Sequence, residues 1–417
     1  MHFRPNPLLY GAYEGFFSTF KVVVSLRDPL EHHLVEKAVD AAIKRYPYFC
    51  VLPQKHGDSI LLQHNPAPVP VLRDGRCVVL ASEQSNGHLL AFGCDGRRLI
   101  LHASHYMADG MGIHPLLMSV LYLYLAERYG TDGIDAAPIQ LPSHPVLPQE
   151  YAYPFPEEPL LTQRRQKGVD TAYSLDQAAF DRQGLYAYHL HLPQRAVMQV
   201  ASPADGSPVS FLSVMLFRAL CALDEGIDRP VVAQVQHQYR AAVKAPLSRH
   251  SLVAYIPVSL PPMLKGRSVE LQNTAVRGQI LLGSEPERAL RSVNGLVSVL
   301  SQNEGRSLAE KQLAMRRYIQ GTTRPKTFGI SYMGQTHWYG MEKYIEDLHV
   351  YIGEKDAPPA LWIEVMTLGE VFSVNFMQSG RGTRYLDAFI GQLENFGIPV
   401  RLIGQERYTL CDTELAL

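Results

Sequence analysis

Apolar positions along this chain switch between two periods, and the switches mark out its elements. Leu30, Leu34, Ala38 and Ala42 recur at helical spacing and stop before Pro47. A helix is expected there, with Asp28 as its cap and Pro29 in its first turn. "HLLAFGC" and "RRLILHAS" are apolar runs of strand length around the turn dipeptide Asp95-Gly96, which together predict a hairpin. Helical spacing returns at Ile113, Leu116, Leu117, Val120, Leu121, Tyr124 and Leu125, with Gly130 beyond the last of them. The hairpin's second strand therefore runs straight into a short loop, and the loop into a long helix.

Residues 131–182 lose both periods. Pro138, Pro142, Pro145, Pro148, Pro154, Pro156 and Pro159 exclude a helix or central strand and read as a connection between domains. The second half restarts with "LYAYHLHL", an alternating strand, then a buried helix at "SFLSVMLFRALCAL" and a strand at "PVVAQVQHQYR". Two later helices are expected behind capping pairs, Ser284 with Glu287 and Ser307 with Glu310. Strands recur at "TFGISYM", "LWIEVMT" and "VFSVNFMQ", and "TRYLDAFIGQLENF" closes the chain as a helix ending at Gly397. Neither half shows strict strand–helix alternation, which favours two α/β sandwich domains with mixed sheets over a doubly wound fold. The expected division is an N-terminal domain at 1–150, a Pro-rich connection at 151–184 and a C-terminal domain at 185–417.

Charge and cysteine usage narrow the function classes. Thirty-nine basic residues balance 40 acidic ones over 417 residues, with no basic stripe, so no nucleic-acid partner is expected. The pairs Arg164–Arg165 and Arg316–Arg317 read as solvated faces. Five scattered cysteines (Cys50, Cys77, Cys94, Cys221, Cys411) without a CxxC fit a reduced, cytoplasmic protein better than a disulfide scaffold or zinc ribbon. The N-terminus has no signal-peptide pattern. The two most apolar runs are short and carry Arg128 and Arg218, so they are core helices and no transmembrane segment is expected.

The loop between hairpin and helix, in "HASHYMADGMGIHP", carries the candidate chemistry. His105 stands at a strand end and titrates near neutral pH in its ordinary form, which suits a general base. Asp109-Gly110 supplies a sharp turn four residues later. Asp109 either faces His105 or anchors the loop through an arginine, and the spacing leaves both open. A plain helix cap beside an incidental histidine is the competing reading. His102, His105, Asp109 and His114 are all ligand types, but period two sends His102 and His105 to opposite faces, so no metal is expected. No G-x-S-x-G elbow, P-loop or G-x-G-x-x-G follows a strand anywhere in the chain. His189, His191 and His237 read as structural histidines, and Trp338 and Tyr339 as core aromatics.

"SHYMADG" resembles the HHxxxDG signature of the CoA-dependent acyltransferase superfamily, which includes condensation domains, alcohol acetyltransferases and polyketide-associated acyltransferases. "AIKRYPYF" is similar to the end of that family's first helix, and "GISYMG", residues 329–334, to its SNxG segment, with Tyr332 in place of asparagine. The resemblance implies two chloramphenicol-acetyltransferase-like domains with an active-site tunnel between them. It implies that His105 deprotonates an alcohol or amine acceptor, which attacks the thioester of an acyl-CoA or a phosphopantetheinyl carrier protein, with no permanently bound cofactor. Asp109 becomes structural support of the motif, paired with a distant arginine for which Arg240 is the candidate, and Gly110 permits close approach of the backbone. Ser331, Tyr332 and Asn375 are the candidate substrate-binding residues. Ser104 replaces the family's first histidine, and the plant-type DFGWG segment is absent; both bear on the branch more than on acyl transfer. A standalone condensation-type enzyme acting on carrier-bound substrates, and a non-catalytic ligand- or partner-binding member, are the alternatives.

Overall fold

The computed structural model describes residues 2–12, 19–158, 171–176, 178, 180, 184–322, 326–352, 361–410 and 413. Pro159, Arg164, Arg165, Cys411 and part of the Pro-rich connection lie outside these residues. The chain begins with β1 (His2–Phe3), β2 (Thr19–Leu26), α1 (His32–Ala42), β3 (Val51–His56), β4 (Ser59–His64) and β5 (Val71–Leu72). The hairpin follows as β6 (Leu90–Asp95) and β7 (Arg98–Ser104), turning through Gly96 at φ +59°, and then α2 (Gly110–Tyr129). A short α3 (Pro148–Tyr151) precedes β8 (Leu185–Pro193), α4 (Gln194–Ala201), α5 (Pro208–Leu223), β9 (Val231–Gln238) and β10 (Val253–Leu260). Three helices, α6 (Val269–Gly283), α7 (Pro286–Ser301) and α8 (Leu308–Thr322), run before β11 (Phe328–Tyr332) and β12 (Ile345–Tyr351). The chain closes with β13 (Leu361–Leu368), β14 (Val371–Ser379), α9 (Arg384–Asn395) and β15 (Arg401–Tyr408).

Two mixed sheets organise these elements, as expected for two α/β units. One has five strands in the order β12-β2-β7-β6-β5, and the other has seven in the order β10-β9-β11-β13-β14-β8-β15. A small sheet, β1-β4-β3, flanks them. β12 comes from the late part of the chain yet pairs antiparallel with β2 from its beginning. The same strand is tied to the seven-stranded sheet, because Ser373 donates to the Leu348 carbonyl at 2.7 Å and Asn375 to the Val350 carbonyl at 2.9 Å. It is the seam of the molecule.

Period-two alternation explains how one strand serves two cores. In β2, Val22 and Val24 join the large cluster under α1 and α2, while Val23 joins Tyr351, Trp362, Met377 and Tyr408 in a smaller one. A second large cluster packs α5 and α9 on the seven-stranded sheet through Phe211, Met215, Phe217, Phe376 and Phe389.

Three sequence expectations need correction. Helix α1 starts three residues late, with Glu31 at its N-cap, because Asp28 is engaged as an acceptor from the Tyr129 hydroxyl at 2.7 Å. Ser284 ends α6 rather than capping α7, and Pro286 after Glu285 sets the start of α7. The Ser307–Glu310 capping pair does form. Cys50, Cys94 and Cys221 are free thiols, whereas Cys77 is disulfide-bonded. Neither the odd count nor the spacing of the cysteines marks Cys77 for a disulfide, which is why the sequence pointed to reduced thiols throughout.

Candidate active site

Strand β7 delivers the chain to His105 and Asp109 caps the helix that follows, its Oδ1 accepting from the Gly112 amide at 2.8 Å. The same carboxylate is the hub of a buried cross-link. Arg240, two residues past β9, donates from Nη2 to Asp109 Oδ1 at 2.7 Å and from Nη1 to Oδ2 at 2.9 Å. The Leu252 amide adds a bond to Oδ2 at 2.8 Å. Arg240 in turn donates to the carbonyls of Ser248 and His250 at 3.0 and 2.9 Å. Asp109 is thus fully engaged with backbone and guanidinium, bidentate and out of water. His105 is not among its hydrogen-bond partners.

Gly110 has modest freedom, since a Cβ there would lie 3.0 Å from Met333 Sδ, the flexible part of a side chain. Gly112 is the tighter position: a Cβ there would collide with the Arg249 carbonyl oxygen. The glycine that lets the Arg240 loop close on the motif helix is therefore one turn-step further on than the motif suggested.

The Arg249 segment has its own support. The Arg249 amide donates to the Glu150 carbonyl at 2.8 Å, and Glu150 forms a buried bidentate pair with Arg45 at 2.6 and 2.8 Å.

His105 lines a cavity of about 260 Å³ between the two large sheets. Phe20 and Val22 of β2, Ile113 of α2 and Val350 of β12 give it an apolar side; Gln236 to Gln238, Ser331, Tyr332 and Glu364 give it a polar one. The His105 ring packs on Phe20 with centroids 4.4 Å apart, and its buried Nδ1 has no hydrogen-bond partner. Burial pushes its pKa down to about 4, with the nearby Asp109 charge opposing. The imidazole is consequently neutral at physiological pH, the form that accepts a proton. His114, on the same wall, is held near 4 by burial and by Arg249.

The other sequence candidates divide. Ser331 and Tyr332 line the cavity, whereas Asn375 is spent on the β12 seam. Trp338 is a buried wall residue whose Nε1 donates to the Thr367 carbonyl at 2.9 Å. Ser104 is not among the cavity-lining residues and accepts from Thr413 at 3.2 Å. His102 is buried beside Lys21 and does not join His105, Asp109 and His114 in the cavity wall.

Of two further cavity residues, one was read from the sequence as structural and the other was not singled out. His237 lines the polar side. Glu364 sits at the centre of β13, opposite Ser331 of β11 in the parallel register. The Trp362 indole donates to it at 2.7 Å, and the Ser331 hydroxyl is its other partner. Burial nevertheless raises its pKa to about 7, those two hydrogen bonds opposing. Gly329 makes this possible, because any Cβ there would overlap the Trp362 ring. A lone carboxylate inside "LWIEVMT" was the available signal, since an acid in a fully buried strand needs a reason.

No protein-family profile and no curated protein matches the sequence. Solved structures do. Polyketide synthase associated protein 5 from Mycobacterium tuberculosis matches at 15% identity over 90% of this chain and 92% of its own, with a TM-score of 0.57. TRI101 from F. sporotrichioides, solved with coenzyme A and T-2, matches at 11% identity over 97% and 100%, with a TM-score of 0.58. The condensation domain of the monacolin K polyketide synthase MokA matches at 12% identity over 95% and 97%, with a TM-score of 0.56. The chain therefore shares the fold of these structures, two sandwich units with mixed sheets. Among the described residues no helix is long and apolar enough to cross a membrane.

Proposed function

We propose that this protein is an acyltransferase that moves an acyl group from a thioester, carried by CoA or by a carrier protein's phosphopantetheine, to an alcohol or amine. The observation that carries the reading is a neutral imidazole, His105, whose buried Nδ1 has no hydrogen-bond partner, on the wall of a cavity between the two sheets. An acceptor bound there loses its O–H or N–H proton to His105 as its heteroatom attacks the thioester carbonyl. The tetrahedral intermediate then collapses, the C–S bond breaks, and the thiolate takes the proton back from the imidazolium. A thioester is already activated, so positioning two substrates beside one base suffices for catalysis. Asp109 and Arg240 act as positioning residues: they hold the loop on which His105 stands.

The cavity lies just below the usual size of small-molecule sites, about 300–1,000 Å³, and one side is apolar. It suits a compact acceptor whose apolar body lies against Phe20, Val22 and Ile113. Mass spectrometry after incubation with pooled acyl-CoAs, acyl-carrier proteins and small alcohols and amines tests the reading. An acylated acceptor with free thiol is expected. Tight binding without product would instead support a ligand-binding protein, and turnover from carrier proteins alone would identify the condensation-type version.

Glu364 gives the reaction a pH signature. Its carboxyl titrates near 7, whereas His105 is already deprotonated well below that. An inflection near pH 7 in kcat/KM for the acceptor is therefore expected to come from Glu364 facing the substrate, not from the base. In E364Q, which keeps the amide's hydrogen-bonding capacity but cannot ionise, that inflection is expected to vanish. Its persistence in E364Q would remove Glu364 from the acceptor site.

A further inference from the structure

Away from the cavity, two strands of different sheets turn metal-ligand side chains toward each other. β8 of the seven-stranded sheet carries His189 and His191, and β12 of the five-stranded sheet carries Asp347 and His349. Each pair is spaced i, i+2, so each shares one face of its strand. We propose that His189, Asp347 and His349 bind a divalent transition metal of the zinc class, which fastens the two sheets together at their seam.

Three observations support the site. Ligand atoms of His189, Asp347 and His349 all lie within 4.8 Å of one another, a convergence found for no other His/Cys/Asp/Glu set among the described residues. The His189 and His349 rings are 3.7 Å apart between centroids, and His349 Nε2 is in direct contact with Asp347 Oδ2. Two imidazoles and a carboxylate drawn this close, largely out of water, form the borderline donor set that zinc prefers.

The surrounding groups hold the ligands as an outer shell does. Asp347 Oδ1 accepts from His191 Nε2 at 2.8 Å, from the Leu348 amide at 2.8 Å and from the Ser373 hydroxyl at 3.1 Å. His189 Nε2 lies 3.2 Å from the Tyr351 hydroxyl, which itself bonds Glu406. Lys21 and Arg98 face the same region and are offset by Glu406. His191, already bonded to Asp347 at 2.8 Å, is a candidate for a fourth donor. With the side chains of all four residues at least seven-eighths buried, the site is closed, which assigns it a structural role rather than a second catalytic one.

Untagged protein, stripped with EDTA and dialysed, is the material for the test, with Zn²⁺ and Co²⁺ as probes. Calorimetric titration is expected to show one tight equivalent of Zn²⁺ and a rise of several degrees in Tm, because a ligand that binds only the folded state stabilises it. H189A and H349Q are expected to lose both effects, and H64A, at an exposed histidine elsewhere, to keep them. Should either variant not fold, the wild-type Co²⁺ complex decides: intense visible bands of a tetrahedral site are expected, and weak octahedral bands would overturn the proposal. So would the absence of Zn²⁺ binding by the wild type, or unchanged affinity in folded H189A. Every readout is independent of acyl transfer, so failure here leaves the proposed activity standing, and the reverse.

Discussion

His105→Ala is expected to lower kcat for acyl transfer by about 10²–10⁴-fold while leaving the melting temperature within a few degrees of the parent. The rate effect follows from removing the imidazole proposed to take the acceptor's proton. The small stability effect follows from the environment: the ring borders an existing cavity and its buried Nδ1 has no hydrogen-bond partner, so no bond of this nitrogen is broken and no new orphan is made. The pH dependence carries a sign. Because burial depresses the His105 pKa to about 4, the folded protein takes up this proton more reluctantly than the unfolded chain. Stability tied to this group is present above about pH 6.5 and is lost as pH falls toward 4, whereas the folded base itself becomes protonated only as pH nears 4. H105A is therefore expected to be less sensitive to mild acid than the parent in thermal melts between pH 6.5 and 4. Retained turnover in H105A, with any of the pooled thioesters, would reject His105 as the base.

How much of this was readable in the residues depends on the range of the interaction. The hairpin, the long helix α2 and the strands β11, β13 and β14 follow from local periods and turn chemistry, and all form where their patterns lie. The seam strand β12 has no such signal, because "IEDLHVY" mixes acidic and apolar residues, and its partner β2 lies more than 300 residues earlier. Its polar members make sense only once β8 faces it. The candidate site shows the same division. His105 and Asp109 stand out through a local turn between strand and helix. Arg240 came from a resemblance, since nothing near residue 240 announces a partner 131 positions away. Glu364 and Gly112 were missed because their significance lies in what crosses them, Trp362 and Ser331 for the first, the Arg249 backbone for the second. Asn375 was a candidate for the substrate site, yet its side chain serves a sheet-to-sheet bond.

The Asp109–Arg240 cross-link is proposed to couple architecture to rate, and breaking it is the second large effect expected. D109A strands a buried guanidinium and uncaps α2; R240M strands a buried carboxylate that still caps it. Removing one member of a buried ion pair costs about 3–5 kcal/mol, so each variant is expected to lose that much in chemical denaturation. The double variant D109A/R240M is expected to cost less than the sum of the two by about 2 kcal/mol or more, because neither orphan charge remains; additive losses would show that the pair is not energetically coupled. Rate separates positioning from mere stability. At a temperature where R240M is still folded, kcat is expected to fall by more than tenfold with KM for the thioester little changed, because the loop that aims His105 has lost its anchor on the Ser248–Leu252 segment while the cavity walls on β2 and β13 persist. D109N, which retains the cap acceptor and part of the guanidinium contact, is expected to recover most of the stability of D109A and a matching share of kcat. Full activity in folded R240M would confine the cross-link to holding the fold.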